Sequence, residues 1–373
     1  MMIPVNEPRL KGKELAYVTE CLQTGWISSE GRFIEAFERG WADYCGMPHA
    51  VAVCNGTTAL ELAVACLDLQ RGDEVILPTF TIISCALAVL YNGLTPVLVD
   101  SDPRTWCMNI SQLEAKITPR TRAIMPVHIY GHPVDMDPVI DLAVRYNLTI
   151  IEDAAEAHGA EYKHRRCGSL GDLSCFSFYA NKIVTTGEGG MILTHEAAQA
   201  ERLRSLRNLC FRKERRFFHT DLGHNYRLTN LQAALGLAQL EGIDAAVDQK
   251  RRIGAAYTRR LGALEGLQLP VEETWARNVY WMYGLVLEED LGIDAVEFAR
   301  RLAGRGIMTR PFFLGMHEQP VLHERGLFTN EHYPVAERLA RQGLYLPSGL
   351  SLSEAQLTEV CESVEAEWRV LTR

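Results

Sequence analysis

Between residues 50 and 195, short apolar runs alternate with amphipathic stretches, and this alternation constrains the fold more than any other feature. AVAVC (50–54) reads as a strand, and TTALELAVACLDL (57–69) as a helix. DEVILP and TPVLVD read as strands on either side of an apolar helix, IISCALAVLYNG. RAIMPVHI, DPVIDLAVRYN and LTIIEDAA repeat strand, helix, strand, and LSCFSFY and GMILT add two more strands. Near-continuous apolar strands joined by helices predict an α/β fold, with a mostly parallel sheet covered on both faces. Such sheets bind ligands beyond the carboxyl ends of their strands. Asn55-Gly56-Thr57, Asp153 and Lys182 fall at such ends.

From 229 to 264 the periodicity is helical throughout, which predicts one long helix starting near residue 229. It would join a large domain, 1–245, to a smaller α+β domain, 246–373. In the latter, WMYGLVLEE reads as a strand, and DAVEFARRLAGRG and SEAQLTEVCESVEAEWRVL read as helices. A chain of 373 residues has room for both domains.

The formal net charge of −9 argues against a general nucleic-acid binder. A basic run, RKERR at 212–216, reads as a solvated loop or an interface edge. Ten cysteines occur without a CxxC pair, and Cys54, Cys66, Cys85 and Cys175 sit in apolar runs. That usage points to a reducing compartment rather than to disulfides or a metal site. The N-terminal MMIPVNEPRLKGKE has no apolar signal core, and no apolar run approaches membrane-spanning length. The expectation is a cytoplasmic protein with neither membrane nor metal.

Three short segments could carry chemistry. In NGTTALELA (55–63), a Gly-Thr-Thr turn opens a helix, so backbone N–H groups and hydroxyls gather at its positive end. That suits a phosphate; Thr57 or Thr58 could equally be a plain helix cap. The spacing is neither that of a P-loop nor that of a dinucleotide fingerprint. IIEDAAEAHG (150–159) ends a strand with Glu152 and Asp153, followed by Glu156. Such acids cap turns, or pair with a positive charge such as a protonated pyridine nitrogen. In FSFYANKIVTTGEGGM (176–191), Ser177 precedes Lys182 by five residues, and the glycines behind permit a sharp reversal. Lys182 is either solvated at a loop tip or a pocketed amine whose lowered pKa frees it for carbonyl chemistry. A phosphate cradle, a strand-end aspartate and a lysine after a strand form the minimal set for pyridoxal phosphate.

The same segments resemble the DegT family of nucleotide-sugar aminotransferases, fold-type I pyridoxal phosphate enzymes. TGWISSEG, CNGTTAL, GDEVILPTFT, PVHIYGHPVDMD, IEDAAEAHGAEY, SFYANKIVTTGEGGM and GHNYRLTNLQAALGLAQLE occur in the family's order across most of the chain. The resemblance implies that Lys182 is the Schiff-base lysine and proton carrier, and that Asp153 pairs with the ring nitrogen. It places Glu156 near the ring hydroxyl, and Gly56, Thr57, Thr58 and Ser177 about the phosphate. Asn225, in GHNYR, would reach the phosphate of the neighbouring subunit, which implies a homodimer with its site at the interface. Ile82 stands where many members stack an aromatic on the ring. The retained Lys182 argues against the related sugar 3-dehydratases, which carry histidine there. Arg310 and His317, in TRPFFLGMHEQP, are candidates for contacting the nucleotide sugar, against a surface arginine and a hydrogen-bonded loop histidine. The implied reaction transfers an amino group, with glutamate as donor, to a nucleotide-linked keto-deoxysugar, GDP-4-keto-6-deoxymannose being preferred. Another nucleotide keto sugar or a cyclitol ketone, or a pyridoxal-binding protein without turnover, are the alternatives.

Overall fold

The computed structural model describes residues 2–212 and 215–372. Two residues of the basic run at 212–216 therefore lie outside the described residues.

Seven strands form the main sheet: β1 (His49–Val53), β2 (Glu74–Pro78), β3 (Thr95–Val99), β4 (Thr121–Ile124), β5 (Thr149–Asp153), β6 (Leu173–Ser177) and β7 (Gly190–Thr194). Their spatial order is β1-β7-β6-β5-β4-β2-β3. Only β7 runs antiparallel to its neighbours; the other pairings are parallel. Helices Gly56–Ala65, Ser84–Tyr91 and Met136–Tyr146 make crossovers between strands. Every residue of β2 and β7 is buried, which explains apolar runs where a half-exposed strand would alternate. These strands carry the central core, with Val51, Ile76, Leu77, Ile124, Ile151, Phe176 and Ile192.

A second, antiparallel sheet comprises β8 (Leu267–Gln268), β9 (Tyr283–Leu287), β10 (Arg310–Pro311) and β11 (Gly343–Leu346), in the order β8-β9-β11-β10. Helices Ala295–Gly304 and Glu354–Leu371 pack with it around Tyr283, Phe298, Leu344, Val360 and Trp368.

The single long helix expected from residue 229 is two helices, Asn230–Leu240 and Ile243–Leu261. The ladder breaks at Gly242, whose backbone (φ −110°, ψ 10°) leaves the helical region. The first helix starts at a capping box between Thr229 and Gln232. The second bridges both cores: Ile243 and Val247 join the central one, whereas Ile253, Tyr257 and Leu261 join the second.

The N-terminal strap bonds to the second sheet's surroundings and, through Asn6 Nδ2 donating to the Asn181 carbonyl at 2.6 Å, to the loop after β6. The Ile3 N–H donates to the Gly306 carbonyl at 2.8 Å, and the Val5 carbonyl accepts from the Ser348 N–H at 2.9 Å. No helix among the described residues is long and apolar enough to cross a membrane.

Candidate active site

The carboxyl ends of β1, β5 and β6 open on a cavity of about 420 Å3. After β1, Asn55 caps the helix Gly56–Ala65: its Oδ1 accepts from the Thr58 N–H at 2.9 Å. The helix N-terminus thus faces the cavity with its partial positive charge. A Cβ on Gly56 would lie 2.7 Å from the Ser177 Cβ. Only glycine lets the helix start seat this closely against the end of β6. Thr57 Oγ1 and Ser84 Oγ lie 2.8 Å apart, and both line the cavity with Ser177. Three hydroxyls about a helix N-terminus make a cradle for a phosphate.

Across the cavity lies Asp153, the last residue of β5. Its Oδ1 accepts from the Ala155 N–H at 3.0 Å, and its Oδ2 from the Cys85 thiol at 3.2 Å. Burial raises its carboxyl above the ordinary range. Glu152, its strand neighbour, points the other way, as alternation requires. It accepts from His128 Nε2 at 2.9 Å, Leu170 N–H at 2.9 Å, Gly171 N–H at 3.1 Å and Ser174 Oγ at 2.9 Å. His128 Nδ1 accepts from the Val134 N–H at 2.9 Å, so the ring proton sits on Nε2 and points at Glu152. Glu152 is a structural anion that fixes the segments beside Asp153.

Lys182 lies in the turn after β6, where its N–H donates to the Tyr179 carbonyl at 2.9 Å. The loop closes behind it, with the Phe178 carbonyl accepting from Thr186 N–H at 2.9 Å and Thr185 Oγ1 at 3.0 Å. Gly187 supplies the left-handed backbone, φ 80°, that this reversal needs. The loop directs the Lys182 side chain inward, where only 9% of it remains exposed. Its amine lies 3.8 Å from Glu156 Oε1 and 3.6 Å from the centroid of the Trp281 ring. Burial holds the amine below its ordinary pKa, against the opposing charges of Glu156 and Asp153. Burial likewise pushes the Glu156 carboxyl up to about 7, while Lys182 opposes the rise. The other Glu156 oxygen accepts from the Tyr130 N–H at 2.7 Å. Each charge is expensive here without the other.

The cavity brings together Gly56, Thr57, Ile82, Asp153, Glu156, Ser177 and Lys182. Ile82 stands at its open side, 47% exposed.

Four other expected residues lie elsewhere. Thr58 does not line the cavity: its hydroxyl accepts from the Asn55 N–H at 3.3 Å, completing the capping box, and donates to the Asn55 carbonyl at 2.9 Å. His317, expected to contact substrate, does not line the cavity either. Its ring is buried, with Nδ1 2.8 Å from Thr79 Oγ1 and Nε2 3.3 Å from Glu337 Oε1. No nitrogen is left for a ligand. Asn225 does not line its own chain's cavity; its Oδ1 accepts from Arg227 at 2.7 Å. Arg310 lines an adjoining cleft of about 230 Å3 that shares Tyr179, Asn181 and Tyr345 with the cavity.

Ser84, Trp281, Phe313 and Tyr345 also line the cavity, and the sequence reading missed them. Ser84 hides at the start of an apolar helix. The aromatics come from the second sheet and its loops, and no local pattern ties them to Lys182.

Pyridoxal phosphate fits these residues: the cradle on Gly56 suits its phosphate, the buried carboxylate its ring nitrogen, and the pocketed amine its carbonyl. Comparison with known proteins agrees. The chain is 46% identical over 364 residues to a GDP-perosamine synthase of Caulobacter vibrioides, covering 97% of each. It is 42% identical over 362 residues to a GDP-perosamine synthase of Escherichia coli O157:H7, again covering 97% of each. Its fold superposes on the crystal structure of the aminotransferase TlmJ from Streptoalloteichus hindustanus with a TM-score of 0.93, at 30% identity over the whole of both chains. Residues 8–365 match the DegT/DnrJ/EryC1/StrS aminotransferase family. The chain belongs to that family and is a pyridoxal-phosphate-dependent transaminase.

Proposed function

We propose that this enzyme transfers the amino group of glutamate to carbon 4 of GDP-4-keto-6-deoxymannose, giving GDP-perosamine. The observation that carries the chemistry is the buried Lys182 amine, 3.8 Å from Glu156 in one cavity with Asp153. The sugar is supported by the similarity, over nearly the whole chain, to proteins named GDP-perosamine synthase.

Bound pyridoxal phosphate supplies an electron sink and a carbonyl that accepts and returns an amino group. Gly56, Thr57, Ser84 and Ser177 would hold its phosphate at the helix N-terminus, and Asp153 would hold its ring nitrogen protonated. Glu156 would face the ring hydroxyl, with the Tyr130 N–H fixing its second oxygen. Ile82 would cover one ring face by van der Waals contact. Lys182 would carry the cofactor at rest and, once released, take a proton from the donor's carbon and later deliver one to the sugar carbon. Its lowered pKa favours the neutral amine this work requires. Arg310, in the adjoining cleft, is placed to meet the anionic part of a substrate that extends out of the cavity.

The enzyme works as a homodimer in this reading. Asn225 lies outside its own cavity, which supports service to the neighbouring subunit's phosphate site. Ile82 and Tyr179, 47% and 48% exposed at the cavity edge, support cover by a second subunit. All ten cysteines are unpaired, which supports a reducing cytoplasm.

Incubating the purified protein with glutamate and a panel of nucleotide-linked keto sugars tests the proposal. Mass and NMR should show an amino group at carbon 4 of the GDP sugar. Amination of a different nucleotide sugar only would remove the substrate assignment, and no amination of any would remove the reaction.

A further inference from the structure

Trp281 touches the Lys182 segment twice. Its ring centroid lies 3.6 Å from Lys182 Nζ. Its Nε1–H donates at 2.8 Å to the carbonyl of Asn181, the residue before the lysine. The same carbonyl accepts from Asn6 Nδ2 at 2.6 Å. The peptide leading into Lys182 is therefore gripped by the N-terminal strap and by the segment entering β9. The Trp281 ring also stacks on Tyr130, at 6.3 Å between centroids and 29° between planes. Tyr130 is the residue whose N–H holds Glu156. The ring, 4% exposed, thus contacts both the amine and the residue whose backbone fixes the amine's acidic partner.

An ammonium over an indole face is attracted by the ring quadrupole, more strongly where water is excluded. We infer that Trp281 is a positioning residue: its face is the resting place of the Lys182 ammonium when that amine is not bonded to the cofactor, and its Nε1–H fixes the peptide from which the side chain springs. The inference rests on the proposed role of Lys182. It adds what that role lacks, a defined station for the released side chain between its two proton transfers. Three other groups face the amine: Glu156 and Asp153, whose charges favour the ammonium, and His158, which burial keeps neutral. Removing the ring face leaves these in place and removes one stabilising contact of the ammonium.

The test measures the titration of Lys182 in cofactor-free protein, by trace acetylation against pH with peptide mass spectrometry. In Trp281→Leu the midpoint for Lys182 should fall by about one pH unit, a change of about tenfold in the ammonium-to-amine ratio. Trp281→Phe, which keeps a face but no N–H, should recover part of that shift. Should the leucine variant fail to fold, global replacement of tryptophan by a ring-fluorinated analogue decides the matter. It weakens the quadrupole but keeps shape and donor, and the midpoint should again fall. An unchanged or raised midpoint in the fluorinated protein, or in a folded leucine variant, overturns the inference. The readout needs neither cofactor nor sugar, so it is independent of whether the proposed reaction is correct.

Discussion

Lys182 Nζ lies 3.8 Å from Glu156 Oε1, with both side chains more than nine-tenths buried. A lone amine here would resist protonation and a lone carboxylate would resist ionisation; together they can trade one proton. Glu156 is pushed up to about 7, so the folded protein binds that proton more tightly than the unfolded chain does. Its contribution to stability is complete below the ordinary carboxylate value near 4.5 and is lost as pH rises through about 7. Thermal unfolding of cofactor-free protein between pH 4.5 and 7 should show this loss. In Glu156→Gln the difference from wild type should shrink as pH rises across that window; a constant difference would contradict the burial-raised carboxyl.

Gly56 and Ser177 meet so closely that a single methyl is too much, since a Cβ on Gly56 would lie 2.7 Å from that of Ser177. Gly56→Ala should weaken cofactor binding by about tenfold or more, in keeping with the ~1–3 kcal/mol cost of overpacking. Adding Ser177→Gly removes the opposing carbon and should restore thermal stability, though not full cofactor affinity. Titration of cofactor-free protein, followed by the visible band, checks the affinities, and thermal unfolding checks the stability.

Asp153→Asn keeps the shape of the β5 end but removes the charge that would hold the ring nitrogen protonated. The variant should bind cofactor and lose on the order of a hundredfold or more in kcat. A near-normal kcat would show that Asp153 is only a turn cap, held as it is by the Ala155 N–H.

Arg310 and His317 should separate cleanly. Arg310→Ala should raise KM for the nucleotide sugar and leave the half-reaction with glutamate unaltered. His317→Ala strips partners from Thr79 and Glu337, and should cost about 1–3 kcal/mol of stability with KM unchanged. Steady-state kinetics with both substrates, alongside denaturant unfolding, distinguishes the two.

The sheet was legible because its strands are buried on both faces, so AVAVC, DEVILP and LTIIED could hardly be anything else. Asp153 was legible as a cavity residue because it closes an apolar strand, and Lys182 because a lone lysine interrupts the segment after Ser177, which ends β6. The break at Gly242 was not, because helical periodicity continues on both sides of it. Thr58 and His317 lie off the cavity for a common reason: sequence names a polar group but not which neighbour already occupies it. Trp281 was invisible for the opposite reason. It reaches the lysine loop from 100 residues away, and only tertiary packing sets its ring under the amine.

Lys182 is not the only buried lysine. The Lys250 side chain is also enclosed, donating to the Ser348 carbonyl, and burial lowers its amine to about 7. Borohydride reduction of the cofactor-loaded enzyme, followed by digestion and mass spectrometry, therefore decides the central assignment. The cofactor mass should appear on the peptide containing Lys182 and on no other. Its appearance on Lys250, or on no lysine at all, would contradict the account.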